Sequence, residues 1–554
     1  MNDERTIYAA KAISQIPRLL SQLDRNPYSP TYGSFDRSYW HDKGSDFSNA
    51  DQQLGALVLA LVYSCDYPGN PYYGQAKIRD WAISGLDFLS RIQHADGSFD
   101  EHYPRERGWA GPTAFLVYYG GEALRILSDE MAELVRERVR HTIHRAALSI
   151  VKGQAEEDLL ANHHALACLA VWSAYELLED PALKNGFDRL WKGFLELHDA
   201  QEGWSMEYDG ADPGYQSATV SFLAKLLELR TDPRLEDVVR QSIEFCSFFI
   251  YPDGTYGGSI GSRHTSHFYP HGFELMAKTN DLALAMASRM SKSLQEGKLV
   301  PPDIMSDRYI VLRMVEYLLA YKDSAVRTAK RSLLPCESGP FVRYFSNARL
   351  WVANHKNNYI VSNLGKGGVL KVFDRQRGRL ILCDGGVLGK LKSNAVITSQ
   401  WTNPAYQIQQ TGQDWEVRGH LQQTPSQKPF TLVTHLLFRL ALLTLGRSPA
   451  FSHWLKGRIR KIMMLDTKPI PFAFKRKMIL NPDKLIIVDE LKIVGRLTLT
   501  DLLIGDEFLV RHVPQSQYFQ MHELETSAQR MSAEQLSDLN QKRELSIRRE
   551  IRTV

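Results

Sequence analysis

The chain has 554 residues, a net charge of +4, 44% hydrophobic residues and 23% charged residues. This length exceeds what one hydrophobic core supports and predicts two or three domains. The small net charge argues against nucleic acid as the main partner. The five cysteines show neither a CxxC pair nor the spacing of zinc ligands, and we predict neither a cofactor nor a metal.

The first twenty residues contain Asp3 and Glu4 and have no long apolar core, so they do not resemble a signal peptide. No run of eighteen uncharged apolar residues occurs in the sequence, and no transmembrane helix is expected. We therefore expect a cytoplasmic protein.

Residues 1–330 predict a helical domain, because apolar residues recur there at spacings of three and four. The predicted helices are Leu54–Tyr63, Ile78–Ile92, Ala114–Leu127, Leu134–Ile150, Ala161–Leu178, Leu183–Leu197, Ser217–Leu229, Val238–Phe249, Phe273–Met290 and Arg308–Tyr321.

A loose repeat runs through this half, in which a helix ends, a turn with glycine and an acidic or aromatic residue follows, and another helix begins. The turns are Gln93–Phe99, Gln201–Trp204 and Pro252–Tyr256. Glycine supplies the positive φ that ends a helix, and Asp favours tight turns. Helical hairpins repeated in this way predict an α/α toroid, whose polar turns gather at one mouth and are a reasonable place for a site.

In residues 335–521 the pattern changes to short segments rich in β-branched and aromatic residues. This pattern predicts an antiparallel β-sandwich domain. The predicted fold class is therefore α+β and multidomain. The predicted strands are Phe341–Phe345, Leu350–Ala353, Asn358–Ser362, Val369–Phe373, Leu380–Leu382, Ala395–Thr398, Trp415–Leu421 and Leu485–Ile493. A helical insertion is expected near residues 430–465. The charged residues 522–554 predict a solvated helix or a frayed tail.

Three short motifs in the helical half carry the side chains needed to remove a proton next to a carboxylate. They are Asn162-His163-His164, Asp212-Pro213-Gly214-Tyr215 and Gly261-Ser262-Arg263-His264. Asn, Arg or a cationic His can neutralise a carboxylate. A neutral His or a tyrosinate can take the proton, and a Tyr hydroxyl can give one to a leaving oxygen.

A helical toroid followed by a β domain, with these motifs in this order, resembles the heparinase II/III-like and alginate-lyase-like polysaccharide lyases. The resemblance implies β-elimination in a uronate-containing glycan, with an anionic poly- or oligosaccharide as the partner. It implies that Asn162, helped by Arg263 or His264, neutralises the carboxylate. His163 or Tyr215 would remove the C5 proton, and Tyr215 would protonate the leaving oxygen. We expect Arg263 or a cationic His to lower the pKa of Tyr215.

Further contacts with the glycan are predicted for aromatic and imidazole side chains near the same mouth, since aromatic rings can serve as flat platforms for sugars. We assign this role to His164, Trp204, Tyr208, His267 and Trp109.

Each motif also has a purely structural interpretation. Asn162 can cap a helix, and Tyr215 can anchor a turn. For Arg263, His264, His267 and His271 we favour an anion-binding patch. Zinc binding by these histidines is a further alternative.

Other functions also fit the sequence. A glycoside hydrolase would use a pair of the acids in the turns, namely Asp96, Asp100, Glu101, Glu207, Asp209, Asp212 and Asp253. The groups of the lyase would also serve a uronate C5-epimerase. A glycan-binding or assembly protein without catalytic activity is the third alternative. Phe451–Leu465 is basic and could lie on a membrane surface.

Overall fold

The computed structural model describes residues 3–101, 110–153, 160–327, 332–425, 429, 431–461, 466–481, 483–506, 508, 521–524 and 528–552. The helical domain contains α1 (Thr6–Ile13), α2 (Ile16–Gln22), α3 (Arg37–Trp40), α4 (Gly55–Ser64), α5 (Ala76–Ile92), α6 (Ala110–Leu127), α7 (Glu133–Lys152), α8 (Ala161–Leu178), α9 (Pro181–Leu197), α10 (Pro213–Leu229), α11 (Pro233–Ser247), α12 (His271–Met276), α13 (Asp281–Gln295) and α14 (Ile310–Lys322).

The helical domain is a closed toroid of paired inner and outer helices. Helices α4, α6, α8, α10, α12 and α14 pack in this order, and α14 contacts α4 to close the inner ring. Helices α5, α7, α9, α11 and α13, with α1, lie outside it. The inner helices are more continuously apolar because both of their sides are buried. The predicted α/α toroid is thus confirmed.

Helices α1, α2 and α3 were not among the predicted helices, and two further features of this domain differ from the prediction. The segment predicted as one helix, Phe273–Met290, is two helices, because the Asn280 side chain accepts a hydrogen bond from the Ala283 N–H and starts α13 as a new helix. A small antiparallel sheet of β1 (His198–Asp199), β2 (Trp204–Glu207) and β3 (Gly210–Ala211) connects α9 to α10. Its strands are too short to give an alternating pattern in the sequence.

The second domain consists of antiparallel strands. They are β4 (Phe341–Phe345), β5 (Leu350–His355), β6 (Asn358–Asn363), β7 (Val369–Asp374), β8 (Arg379–Asp384), β9 (Val387–Leu391), β10 (Val396–Thr398), β11 (Gln407–Thr411), β12 (Asp414–Gln423), β13 (Lys468–Leu480), β14 (Lys484–Ile493), β15 (Leu499–Ile504), β16 (Gln529–Arg530) and β17 (Glu544–Arg552).

These strands form two sheets that share a core. One sheet has the order β4-β5-β6-β7-β8, and the other runs β16-β15-β9-β10-β12-β13-β14-β17, with β11 paired to β12. Trp351 and Ile360 of the first sheet pack with Val417 and Phe474 of the second in one buried cluster. The predicted β domain after the toroid is confirmed.

The C-terminal segment belongs to this domain. Residues 522–554 were expected to form a solvated helix or tail, and a helix is present at α17 (Ala533–Lys542). However, β17 follows it and pairs with β14 along its whole length. Arg549 of β17 contacts Asp384 at 2.6 Å and Asp489 at 2.7 Å, and both of these buried carboxylates also pair with the buried Arg476.

The helical insertion lies between β12 and β13, as expected. It comprises α15 (Leu432–Thr444) and α16 (Pro449–Arg460). We refer to these two helices and their connection as the α15–α16 hairpin.

The two domains are joined by hydrogen bonds from the β domain to loops of the toroid. Lys366 donates to the carbonyl oxygens of Ser259 and Gly261 at 2.9 and 2.8 Å. The Asn363 amide donates to the Ile260 carbonyl oxygen at 2.7 Å. Since Lys366 is buried, these bonds fix the loop that leads to Arg263.

We predict that Arg549→Met destabilises the β domain by about 3 kcal/mol, because removing one member of a buried ionic network leaves a carboxylate charge uncompensated. Denaturant unfolding of the full chain measures this change. Arg548→Met is the matched control, since Arg548 is exposed and pairs with Glu550 at the surface. Equal stabilities of the two variants would show that the ionic network of Arg549 does not stabilise the β domain.

Candidate active site at the mouth of the toroid

The N-termini of the inner helices meet at one mouth of the toroid, because alternate helices of a repeated hairpin run in the same direction. The segments that enter α8, α10 and α12 therefore lie side by side. They carry Asn162, Tyr215 and Arg263, whose surroundings follow from a few buried hydrogen bonds.

Asn162 is held by the carboxylate of Glu207. The backbone N–H of Asn162 donates to Glu207 Oε1 at 2.9 Å, and its side-chain Nδ2 donates to the same oxygen at 2.7 Å. This pair fixes the orientation of the Asn162 amide. Leu160 is the N-cap of α8, so the alternative of Asn162 as the cap is wrong.

Glu207 is fully enclosed by protein and lies at the end of β2. Burial raises its pKa to about 7, although the hydrogen bonds from Asn162 and the charge of His163 act in the opposite direction. Oε2 is buried and accepts no hydrogen bond within the described residues. A carboxyl that changes protonation near neutral pH thus supports the Asn162 amide.

Asp212 ties Tyr215 to Arg263. Its Oδ1 accepts the backbone N–H of Tyr215 at 3.2 Å and the hydroxyl of Thr265, and its Oδ2 accepts the backbone N–H of Arg263 at 2.9 Å. A Cβ on Gly261 would lie 2.3 Å from Asp212 Oδ2. The glycine of the third motif is therefore needed for this close approach.

Arg263 stacks on Tyr208. The guanidinium carbon lies 3.8 Å from the centroid of the Tyr208 ring, which is favourable for a cation–π contact. Tyr208 has a φ of 63° in the tight turn between β2 and β3. The hairpin therefore places Glu207 beneath Asn162 and Tyr208 beneath Arg263.

Tyr215 lies within the electrostatic influence of Arg263, Tyr208 and Glu207. Burial raises its pKa well above the usual value, and the charge of Arg263 offsets only part of this. The expectation that Arg263 lowers the pKa of Tyr215 is therefore wrong in net direction. In the free protein Tyr215 carries its proton, which suits a general acid.

Arg313 of α14 completes the mouth and was missed in the sequence. It donates to the Phe268 carbonyl oxygen at 2.7 Å and to His267 Nδ1 at 2.5 Å, and it stacks 4.6 Å from the Tyr269 ring centroid. A guanidinium only donates, so His267 Nδ1 accepts and the ring is neutral. Burial, with the charge of Arg313, lowers the pKa of His267 well below its ordinary value.

The remaining predicted histidines lie at different places. The His163 ring is partly exposed and packs against Gly111 at the start of α6. His164 is buried, and its ring lies next to Gly193 of the outer helix α9, away from this cluster. His264 has a φ of 59° and its ring contacts Phe508 of the β domain, with centroids 5.2 Å apart.

Of the two predicted tryptophan platforms, only Trp204 lies within the described residues. Trp204 is buried in the core of the toroid, and its indole N–H donates to Glu202. The Trp204 ring thus packs against other buried side chains and offers no exposed face to a sugar. Trp109 lies outside the described residues.

Several acids of the hydrolase alternative have structural partners. Asp96 and Asp253 each accept two hydrogen bonds within their own turns. Asp100 pairs with His94 at 2.9 Å, and Glu101 pairs with Arg308 at 3.4 Å. These contacts account for four of the seven acids without catalysis.

The zinc alternative has no further support in the described ranges, where no three His, Cys, Asp or Glu side chains are grouped to hold a metal ion. His271 is instead paired with Asp323 at 2.7 Å.

A groove of about 1230 Å³ lies over β12, β13, β14 and β17 in the β domain and is lined by Arg418, Lys475 and Glu490, among others. It contains none of the mouth residues.

Comparison with known proteins agrees with this architecture. Residues 67–298 match the family model of the ulvan lyase N-terminal domain. Over this range, which is less than half of the chain, the helical domain is similar to that of a polysaccharide lyase. The resemblance predicted from the three motifs is thereby confirmed, and the sequence matches none of the curated proteins.

Three similar solved structures were found, and the first of them shares the fold of this chain. The chondroitin AC lyase of Streptomyces coelicolor A3, in complex with chondroitin sulphate, has a TM-score of 0.56 and 11% identity, covering 92% of this chain and 68% of that one. The xanthan lyase of Paenibacillus has a TM-score of 0.49 and 11% identity, covering 90% and 46%. The heparan sulfate lyase of Pedobacter heparinus has a TM-score of 0.39 and 12% identity, covering 90% and 70%.

We predict that Glu207→Gln changes how stability depends on pH. A carboxyl whose folded pKa is raised from 4.5 to about 7 stabilises the fold below the lower value, and this contribution is lost as the pH rises through the upper one. The variant should therefore gain about 3 kcal/mol relative to the wild type between about pH 4.5 and about pH 8. Denaturant unfolding at both pH values measures this gain, and a constant difference would contradict the raised pKa.

Proposed function

We propose that this protein is a polysaccharide lyase that cleaves a uronate-containing glycan by β-elimination. The single observation that carries the proposal is the grouping of Asn162, Tyr215 and Arg263 at the mouth, tied together by the buried carboxylates of Glu207 and Asp212. The match to the ulvan lyase N-terminal domain supports the reaction class. The named substrate of the chondroitin AC lyase supports an anionic glycan as the partner.

Neutralisation of the uronate carboxylate is assigned to Asn162 and Arg263. An amide nitrogen carries two N–H groups, so Asn162 can keep one on Glu207 and donate the other to a substrate oxygen. Arg263 is buried against Tyr208 and brings a fixed positive charge. Both groups would stabilise the negative charge that develops when the C5 proton leaves.

Proton transfer is assigned to His163 and Tyr215. Tyr215 is neutral in the free protein, so it can donate to the leaving oxygen at once. The same protonation state favours His163, whose ring is partly exposed at the mouth, as the base that takes the C5 proton. Elimination would then break the C5–H and C4–O bonds and leave a C4–C5 double bond.

A product assay separates the lyase from its rivals. Incubation with a panel of uronate polymers and oligomers should give new chain ends that absorb in the near ultraviolet, because elimination leaves a double bond conjugated to the carboxylate. New reducing ends without this absorbance would indicate a hydrolase. Deuterium incorporation at C5 without cleavage would indicate an epimerase, and no reaction with any polymer would contradict the proposal of an enzyme for these glycans.

Tyr215→Phe tests the proposed acid. We expect turnover to fall by roughly a hundredfold or more, as is typical when a general acid–base group is removed, while the melting temperature changes little. Tyr118→Phe is the matched control, since it removes a buried hydroxyl of inner helix α6 that makes no hydrogen bond in the described structure. Full activity of the Tyr215 variant would exclude Tyr215 from the chemistry.

A further inference from the structure

The α15–α16 hairpin carries a row of exposed apolar side chains on α15. They are Leu432, Val433, Leu436, Leu437, Leu440 and Leu443, with exposed fractions between 39% and 75%. At 100° per residue these positions cover one continuous face of about 140°. The opposite face packs on the protein through Leu442, which is buried.

Such a face is unusual on a soluble domain, where large apolar side chains are exposed singly and contiguous patches mark binding surfaces. In the described structure the hairpin touches the toroid on its packed side. There Arg439 pairs with Asp46 and lies 5.8 Å from the centroid of the Phe47 ring. At 100° per residue Arg439 lies beside this row, about 20° beyond Leu432, so the contact with the toroid flanks the row and leaves its side chains exposed.

The charge of the hairpin has one sign. The sequence from residue 429 to 465 contains six Lys or Arg residues and no Asp or Glu. Arg458 and Lys461 are exposed on and after α16, and Trp454 of the same helix is 56% exposed. Leucines, an exposed tryptophan and basic residues without acids are the composition of helices that lie in the interface of an anionic membrane.

We propose that the α15–α16 hairpin docks this protein on the surface of an anionic lipid bilayer. The leucine face of α15 would enter the boundary between headgroups and acyl chains, and the basic residues would contact the headgroups. The hairpin would lie on the membrane without crossing it. The thirteen residues of α15 span only about 20 Å of a hydrocarbon core of about 30 Å, and no helix of the described part of the chain is long and apolar enough for a span.

Other occupants fit the same surface less well. A polyanionic glycan would pair with the basic residues but would leave the leucines in water. A symmetric dimer would place the same patch of two chains face to face, and this would bring two acid-free basic segments together. A bilayer with anionic headgroups satisfies both the apolar face and the positive charge.

Docking would also set the orientation of the toroid. Asp46 and Phe47 precede inner helix α4, so the hairpin contacts the end of the toroid that carries the mouth. The mouth would then lie beside the bilayer surface. The docking itself does not depend on the proposed lyase activity.

Vesicle binding by the purified full chain tests the docking. The vesicles are phosphatidylcholine alone, or phosphatidylcholine with about 30% phosphatidylglycerol. We expect binding to the anionic vesicles, at least about tenfold weaker binding to the neutral ones, and weakening by salt. Leu436→Gln/Leu440→Gln should reduce binding to anionic vesicles by roughly tenfold or more without lowering the melting temperature. Leu134→Gln/Leu333→Gln is the matched control, because these leucines lie elsewhere and are at least as exposed as Leu436 and Leu440, and it should bind like the wild type.

Three results would overturn the proposal. The wild type could fail to bind anionic vesicles, or the α15 variant could bind as well as its control. In sedimentation equilibrium without lipid, the wild type could form a dimer that the α15 variant abolishes, which would show that a second copy covers the leucine face.

Discussion

The buried carboxylate of Asp212 is the contact on which the geometry of the mouth depends. It begins α10, accepts the backbone N–H of Tyr215, and holds the backbone N–H of Arg263 and the hydroxyl of Thr265 from a loop about fifty residues later. A charge enclosed in protein must be satisfied by such hydrogen bonds. Asp212 therefore fixes the position of the loop that carries Arg263 relative to the start of α10. Glu207 likewise fixes the start of α8.

The β domain contributes to this site without supplying its central residues. Lys366 and Asn363 bind the backbone of residues 259–261 from outside, so the loop that carries Arg263 is held from two sides. His264, at the end of this loop, contacts Phe508 of the β domain. The mouth is thus a feature of the two domains together, and the toroid alone would leave this loop without half of its support.

Much of this arrangement could be predicted from the sequence, because it is recorded in local patterns. The 3.6-residue periodicity of apolar residues predicted the inner helices, and the change to short β-branched segments predicted the second domain. The motifs around Asn162, Tyr215 and Arg263 gave the residues that the structure brings together. The C-terminal strand was missed because β17 is an edge strand with alternating charged residues, which reads as a solvated segment.

The parts that could not be predicted depend on burial and on distant contacts. The pKa of Tyr215 was expected to fall because Arg263 was expected nearby. Arg263 is nearby, but the burial of Tyr215 raises its pKa by more than the charge of Arg263 lowers it. The motif does not indicate how deeply Tyr215 is buried. Trp204 was chosen as an aromatic ring in a turn and is instead part of the core. Arg313 lies within an apolar helical run, where only the closed ring reveals that it faces His267.

The proposed membrane-docking surface and the proposed active site are compatible in position. The α15–α16 hairpin reaches from the β domain to the segment that enters α4, and this segment belongs to the same end of the toroid as Asn162 and Arg263. If the hairpin docks on a bilayer as proposed, a lyase with this arrangement would work on glycan that lies close to that bilayer.

A crystal structure of the Tyr215→Phe protein with a bound uronate oligosaccharide tests the central claim most directly. We expect the glycan to cross the mouth, with one uronate carboxylate within hydrogen-bonding distance of Asn162 Nδ2 and the Arg263 guanidinium. A glycan bound in the groove over β12, β13, β14 and β17, with the mouth empty, would contradict it.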